Sequence, residues 1–184
     1  GDATILAATD WSGTGRIWIS TDSGSNWAEK TGAPITDWHG IAMSSDGTKL
    51  SAAVENGNIW SSTDSGITWS ENTASPGAAM EWYGMAMSND GTRRIAVGAR
   101  MGANNGTLWF ASDAGLTWTA SATSHKVFQV AMMNDFSKGV AVTFGPGNIW
   151  HGVATAAPTA APTAAPTAAP TTAPTPGDMM QISQ

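Results

Sequence analysis

The 184 residues include no cysteine, which removes disulfides, thiolate metal sites and thiol nucleophiles together. Charge is scarce as well: 8 basic and 14 acidic residues make up 12% of the chain, for a net charge of −6. With no basic patch, the sequence offers nothing to nucleic acid or to an anionic membrane surface. No apolar run reaches the roughly 18 residues of a membrane-spanning helix, so no membrane insertion is expected. Tyrosine occurs once. The chain opens on Gly rather than Met without a leader pattern, so it is expected to be a processed chain or a fragment.

What the chain has in quantity is glycine and tryptophan, 21 and 10 residues. That mixture suits many short strands joined by tight turns. The stretch "WHGIAMSSDGTKLSAAVENGNIWSSTDSGITW" (38–69) stacks on "WYGMAMSNDGTRRIAVGARMGANNGTLWFASDAGLTW" (82–118) almost end to end. A third copy, "VFQVAMMNDFSKGVAVTFGPGNIWHG" (127–152), and a front-truncated one, "TILAATDWSGTGRIWISTDSGSNW" (4–27), complete the series. Trp18, Trp60, Trp109 and Trp150 mark the register, in steps of 42, 49 and 41 residues. Within a unit, "GIAMS" alternates like a strand, "SDGT" is a turn, and "KLSAAVE", "NIWSS" and "TWSEN" are three further strands. Four-stranded units at this period, with no helical stretch between them, predict propeller blades.

The phrase closing each unit, "STDSGSNW" (20–27), "STDSGITW" (62–69) and "ASDAGLTW" (111–118), resembles the Asp box of the bacterial-neuraminidase-type repeat. Such boxes occur in sialidases, sortilin-type receptors, some endoglucanases and photosystem II stability and assembly factors. The resemblance covers about 150 residues. It implies an all-β, propeller-like array of about four units with four-stranded antiparallel blades, followed by a disordered Pro/Thr-rich tail. Function does not follow from such a fold alone. The box residues Asp22, Gly24, Trp27, Asp64, Gly66, Trp69, Asp113, Gly115 and Trp118 read as fold staples. A carboxylate there accepts its own loop's N–H groups, the glycine takes a positive φ, and the Trp ring packs beneath the loop. Each Asp belongs to a different blade and none brings calcium-loop ligands, so no metal and no cofactor is expected.

Strand order separates two faces. Loops joining strands one to two and three to four share the Asp-box face; loops two to three and blade to blade share the other. In propellers resembling this one, ligands sit on the second face. There the chain places Trp38 and His39, then Glu81, Trp82 and Tyr83, then His125 and Lys126, with Asp10 and Trp11, Glu55, and Arg100 and Met101 on the inner loops. The candidate ligand residues are Trp11, Trp38, His39, Glu81, Trp82, Tyr83, Arg100 and Lys126, as aromatic platforms and polar anchors for a glycan or protein ligand. Trp38 and Trp82 also admit a structural reading, closing the inner end of each blade against its neighbour. The stretch 99–106 lengthens one loop on this face, and loops carry function more often than strands.

A sialidase resemblance implies three arginines, a Tyr–Glu nucleophile pair and an Asp acid. Arg93 and Arg94 follow a "DGT" turn and so fall on the other face, leaving only Arg16 and Arg100. No catalytic constellation is read, and a non-catalytic binding or structural module is expected. The alternatives are a glycoside hydrolase or its remnant, for which Asp10, Glu55 and Glu81 are the available carboxylates, and a photosystem II assembly-factor-like protein. The repeats occupy 1–153, with units near 1–30, 38–71, 81–120 and 126–153. Counting strands as three, four, four and three leaves open edges, which invite self-association. Residues 154–177 form an Ala/Pro/Thr-rich linker of polyproline II character, and 178–184 a C-terminal tail. Thr-Pro tracts suit an O-glycosylated stalk, and "NGT" (105–107) is a single N-glycosylation sequon. An extracellular or cell-surface location is therefore expected, with the plastid lumen as the alternative.

Overall fold

A computed structural model describes residues 4–75, 77, 80–101, 103, 106–125, 127–133, 135, 137–143 and 149–153. The linker, the C-terminal tail and Lys126 lie outside the described residues. Among these residues there are fourteen strands and no helix, so no helix is long and apolar enough to cross a membrane. The strands form four sheets, each an antiparallel meander in chain order. Blade one is β1 (Leu6–Thr9), β2 (Ile17–Ser20) and β3 (Ala28–Glu29). Blade two is β4 (Trp38–Met43), β5 (Leu50–Val54), β6 (Ile59–Ser62) and β7 (Ser70–Asn72). Blade three is β8 (Met80–Met87), β9 (Arg94–Arg100), β10 (Gly106–Ala111) and β11 (Thr119–His125). Blade four is β12 (Val127–Met132), β13 (Lys138–Thr143) and β14 (Ile149–Val153). The register pairs Ala8 with Trp18, Ala52 with Trp60, Ala96 with Trp109 and Ala141 with Trp150. By that register, blade one begins at its second strand and blade four contains the first three.

The core lies in the seams between blades, and matching side chains fill the first two. In the first seam Ile17 of blade one meets Trp38 and Ala52 of blade two, with Trp60 and Trp69 packed against them. In the second, Ile59 meets Trp82 and Ala96, with Trp109 and Trp118 alongside. The third is filled by Ile95, Val97, Val127 and Val130, with Leu108 and Ala141. Period-two alternation makes this possible, since Ala52 faces the first seam while its neighbour Ala53 faces the second. Trp18, Trp60 and Trp109 are half-buried. Glycine allows the inner strands to approach closely: a Cβ on Gly40 would lie 3.1 Å from the Met85 side chain, and one on Gly84 would collide with Gln129.

Each loop resembling an Asp box is closed by its own carboxylate. Asp64 accepts the Thr68 N–H at 2.9 Å and the hydroxyls of Thr68 and Ser62 at 2.6 and 2.8 Å. Asp22 repeats this with Asn26 and Ser20, and Asp113 with Thr117. Gly24, Gly66 and Gly115 have φ of 89°, 78° and 84°, and the residues before them, Ser23, Ser65 and Ala114, are left-handed too. The Trp27, Trp69 and Trp118 indole N–H groups donate to the box-glycine carbonyls at 3.1–3.2 Å. Trp27 corrects one expectation: it is 42% exposed rather than packed beneath its loop, because no blade precedes it among the described residues. The box is hung on the "DGT" turn of its own blade, Ser65 N–H to the Thr48 carbonyl and Ala114 N–H to Thr92, both 2.9 Å. Both loop types therefore share one face. Those turns also link the blades, through Lys49 Nζ to the Asp90 carbonyl at 2.6 Å and Arg93 to the Asp135 carbonyl.

These turns make stability depend on acid. The Thr68 hydroxyl, then the Thr68 N–H and Ser62, hold the Asp64 carboxyl down at about 2. The Asn26 amide does the same for Asp22, the Ser44 hydroxyl for Asp46 and the Ser88 hydroxyl for Asp90, each at about 2. Folded values below the unfolded one contribute stability that is complete above about pH 4 and is lost as pH falls toward 2. Melting temperature should therefore hold steady from pH 7 to pH 5 as far as these groups act, then fall steeply below about pH 4. In Asp64→Asn the acid limb should be shallower and the neutral-pH melting temperature several degrees lower. An identical acid limb in wild type and variant would refute the staple role.

Candidate functional site

On the face opposite the Asp boxes, the loops between second and third strands lean onto the next blade. The loop after β1 is tied across the first seam: Gly13 N–H donates to the Asp37 carboxylate, Thr36 N–H to the Gly15 carbonyl at 3.3 Å, and the Thr9 hydroxyl to the His39 carbonyl at 3.0 Å. The loop after β5 is tied across the second: Asn56 N–H donates to the Met80 carbonyl at 2.9 Å, and the Trp82 indole N–H to the Gly57 carbonyl at 3.0 Å. The inner strands carry a bulge at matching positions, between Trp38 and Ile41 in β4 and between Trp82 and Gly84 in β8. A bulge re-aims the side chain it carries. Here those side chains are His39 and Tyr83.

The result is a row of polar and aromatic groups across three blades. Trp11 is 64% exposed, yet its position is fixed. Its indole N–H donates to Glu55 Oε2 at 2.7 Å, and its ring stands edge-on to His39, 5.2 Å between centroids at 69°. The same Glu55 oxygen lies 3.1 Å from His39 Nε2, an ion pair when the imidazole is protonated. Farther along, the Tyr83 hydroxyl donates to Glu81 Oε2 at 2.9 Å. Burial, the Glu81 hydrogen bond and the charges of Glu81 and Glu55 push the Tyr83 hydroxyl up to about 12. The phenol therefore keeps its proton at neutral pH, with Glu81 as its acceptor.

Of the sequence candidates, the structure brings Trp11 and His39 together through Glu55, and joins Glu81 and Tyr83 as a hydrogen-bonded pair. Trp38 and Trp82 are corrected: both are 0% exposed, packed in the seams, and neither presents a platform to a ligand. Their indole N–H groups are turned inward, Trp38 to the Pro34 carbonyl at 3.1 Å and Trp82 to Gly57. Burying the largest apolar side chain where two blades converge outweighs exposing it. Arg100 is exposed at the end of β9. The four arginines go to separate places: Arg16 pairs with Glu29 at 2.6 Å, Arg93 reaches Asp135, Arg94 is buried in the second seam, and Arg100 stands outside. No group of His, Asp and Glu among the described residues could hold a metal ion.

Two features escaped sequence reading. Asp37, which secures the Trp11 loop, sits in a linker without a motif. Arg94 did carry a signal: in the repeat register it occupies the place of Leu50, and an arginine at a core position of a repeat needs partners.

No family model matches this sequence, and no curated protein matches it. Solved structures do match. The GH74 xyloglucanase from Xanthomonas campestris aligns with a TM-score of 0.60 at 20% identity, over 80% of this chain and 25% of that one. The GH74 enzyme of Niastella koreensis aligns with a TM-score of 0.63 at 18% identity, over 83% and 27%. YCF48 bound to D1 peptide aligns with a TM-score of 0.55 at 17% identity, over 80% and 50%. These likenesses are of fold, that of a β-propeller. This chain spans a quarter to a half of those proteins' length.

Proposed function

We propose that the chain is a non-catalytic binding module that takes a neutral glycan on the face opposite the Asp boxes, stacked on Trp11. The observation that carries this reading is the fixed but exposed indole: an aromatic plane held in one orientation by Glu55 and His39 loses little freedom on binding. A sugar's C–H face stacks on such a ring, and Glu55, Glu81, His39 and Tyr83 offer acceptors and donors to its hydroxyls. The acidic neighbourhood disfavours an anionic sugar. The xyloglucanase among the structural neighbours is named for a glycan, which agrees with this reading without carrying it. We further propose a location outside the cytoplasm, with residues 154–177 as a spacer, on the strength of their Ala/Pro/Thr composition.

A glycan array followed by titration calorimetry tests the module. Trp11→Ala should weaken binding at least tenfold and leave the melting temperature unchanged, since the ring is mostly in solvent. Unchanged affinity would remove Trp11 from the site. A second reading, glycoside hydrolysis, has one observation in its favour: two carboxylates stand on this face, Glu55 bonded to Trp11 and His39 and Glu81 bonded to Tyr83. Release of reducing ends from xyloglucan or a β-glucan, abolished by Glu55→Gln or Glu81→Gln, would establish it instead.

A further inference from the structure

Asn56 is exposed in the loop after β5, and the residue that follows it is a glycine. Its φ is 56°, in the left-handed region that asparagine adopts more readily than most residues. Its side-chain amide makes no hydrogen bond among the described residues. The other described asparagines differ. Asn26, Asn58 and Asn72 commit their side chains to Asp22, to Glu71 and Ser75, and to the Ala74 N–H. Asn89 precedes Asp90, which carries a side chain where Gly57 has none. The Gly57 N–H itself is held by one bond, to the Val54 carbonyl at 3.0 Å.

We propose that Asn56 is a site of spontaneous deamidation, and that the change falls on the framework of the candidate face. The Gly57 nitrogen attacks Asn56 Cγ and gives up its proton; the Cγ–Nδ2 bond breaks and ammonia leaves, closing a five-membered succinimide. Water then adds to either ring carbonyl, giving aspartate or, with the main chain routed through Cγ, isoaspartate. Gly57 has no side chain to obstruct the approach, and local opening of the Val54 bond frees the nitrogen without unfolding the blade. Either product sets a second carboxylate next to Glu55, which holds Trp11 and His39. Isoaspartate also adds one methylene to the main chain between residues 56 and 57. That insertion disturbs two bonds across the second seam: Asn56 N–H to the Met80 carbonyl at 2.9 Å, and the Trp82 indole N–H to the Gly57 carbonyl at 3.0 Å. The isoaspartyl form thus loosens the seam, where the aspartyl form only adds charge.

Ageing the full chain in mildly alkaline, heavy-oxygen water, followed by peptide mapping, reads the result; the map separates Asn56 from Asn105, which also precedes a glycine. The native chain should release ammonia and convert Asn56 ahead of Asn26, Asn58, Asn72 and Asn89, with one solvent oxygen taken up and isoaspartate as the larger product. Asn56→Gln, whose cyclisation needs a six-membered ring, should stay intact at this position and leave the other sites unchanged. The purified isoaspartyl chain should melt below wild type, and by more than Asn56→Asp does. Asn56 surviving in the native chain while a urea-unfolded sample converts it would overturn the proposal, by showing that the turn shields it. Equal melting of the isoaspartyl chain and Asn56→Asp would overturn the link to the seam.

Discussion

Trp82→Ala should destabilise the chain by about 3–5 kcal/mol, the cost of emptying a fully buried tryptophan site. The indole lies at the centre of the second seam with Ile59, Met80, Met85 and Ala96 around it, and its N–H satisfies the Gly57 carbonyl. For a chain of this size each kcal/mol moves the melting temperature by about 2–4 °C, so a drop of about 6–20 °C is expected. Trp38→Ala should behave alike, losing edge and tilted contacts with Trp60 and Trp69 at 6.4 and 6.0 Å. Thermal melts followed by far-ultraviolet circular dichroism measure both. A variant that melts like wild type while losing ligand would return Trp82 to the binding face and undo its place in the core.

Arg94→Ala should cost about 2–4 kcal/mol, combining a cavity with hydrogen-bonding groups left unpaired in the seam. The guanidinium donates to Ser51 Oγ at 2.6 Å and Ser61 Oγ at 2.7 Å, both across the seam in blade two, and to the Gly91 carbonyl at 3.3 Å within its own turn. Burial lowers its pKa to about 10, against the opposing charge of Asp113, so it remains a cation at neutral pH. The register shows how the other seams fill the same place. The first has Ala7, Ile19 and Leu50 where the second has Ser51, Ser61 and Arg94; the third has Ile95, Phe110 and Gly139. The first set is wholly apolar, whereas the second sets two hydroxyls against a guanidinium.

Replacing the whole second set by the first, Ser51→Ala, Ser61→Ile and Arg94→Leu together, should recover the stability that Arg94→Leu alone loses. It should match or exceed wild type, because a buried charge exchanged for well-packed apolar groups no longer bears a desolvation cost. Chemical denaturation of the single, double and triple variants gives the coupling directly. Additive losses across the three substitutions would show that the positions do not act as a unit.

The propeller was legible in the chain because its causes are local and repeated. Turn chemistry at "DGT" and in the Asp boxes, alternation along "GIAMS", and the Trp register each act over a few residues, and stacking copies reveals them. The strand count of three, four, four and three follows from the same reading and is what the sheets show. The Asp-box bonding pattern was legible too, since a carboxylate four residues before a threonine closes its own loop. The candidate site was legible only as a face. Which aromatics on that face look outward depends on how two blades converge, and that is a property of the seam. Trp11 and Trp82 are both tryptophans on loops or strand ends of one face, yet the first stands in solvent and the second fills the core. The side chain is the same; what differs is whether the next blade's inner strand passes over it. Cross-blade contacts such as Trp11 with Glu55, 44 residues apart, and Arg94 with Ser51, 43 apart, arise only when neighbouring sheets are set at a fixed distance and twist. Hydrogen bonds across a seam depend on ångström-scale placement of two sheets, and no spacing within one blade encodes it.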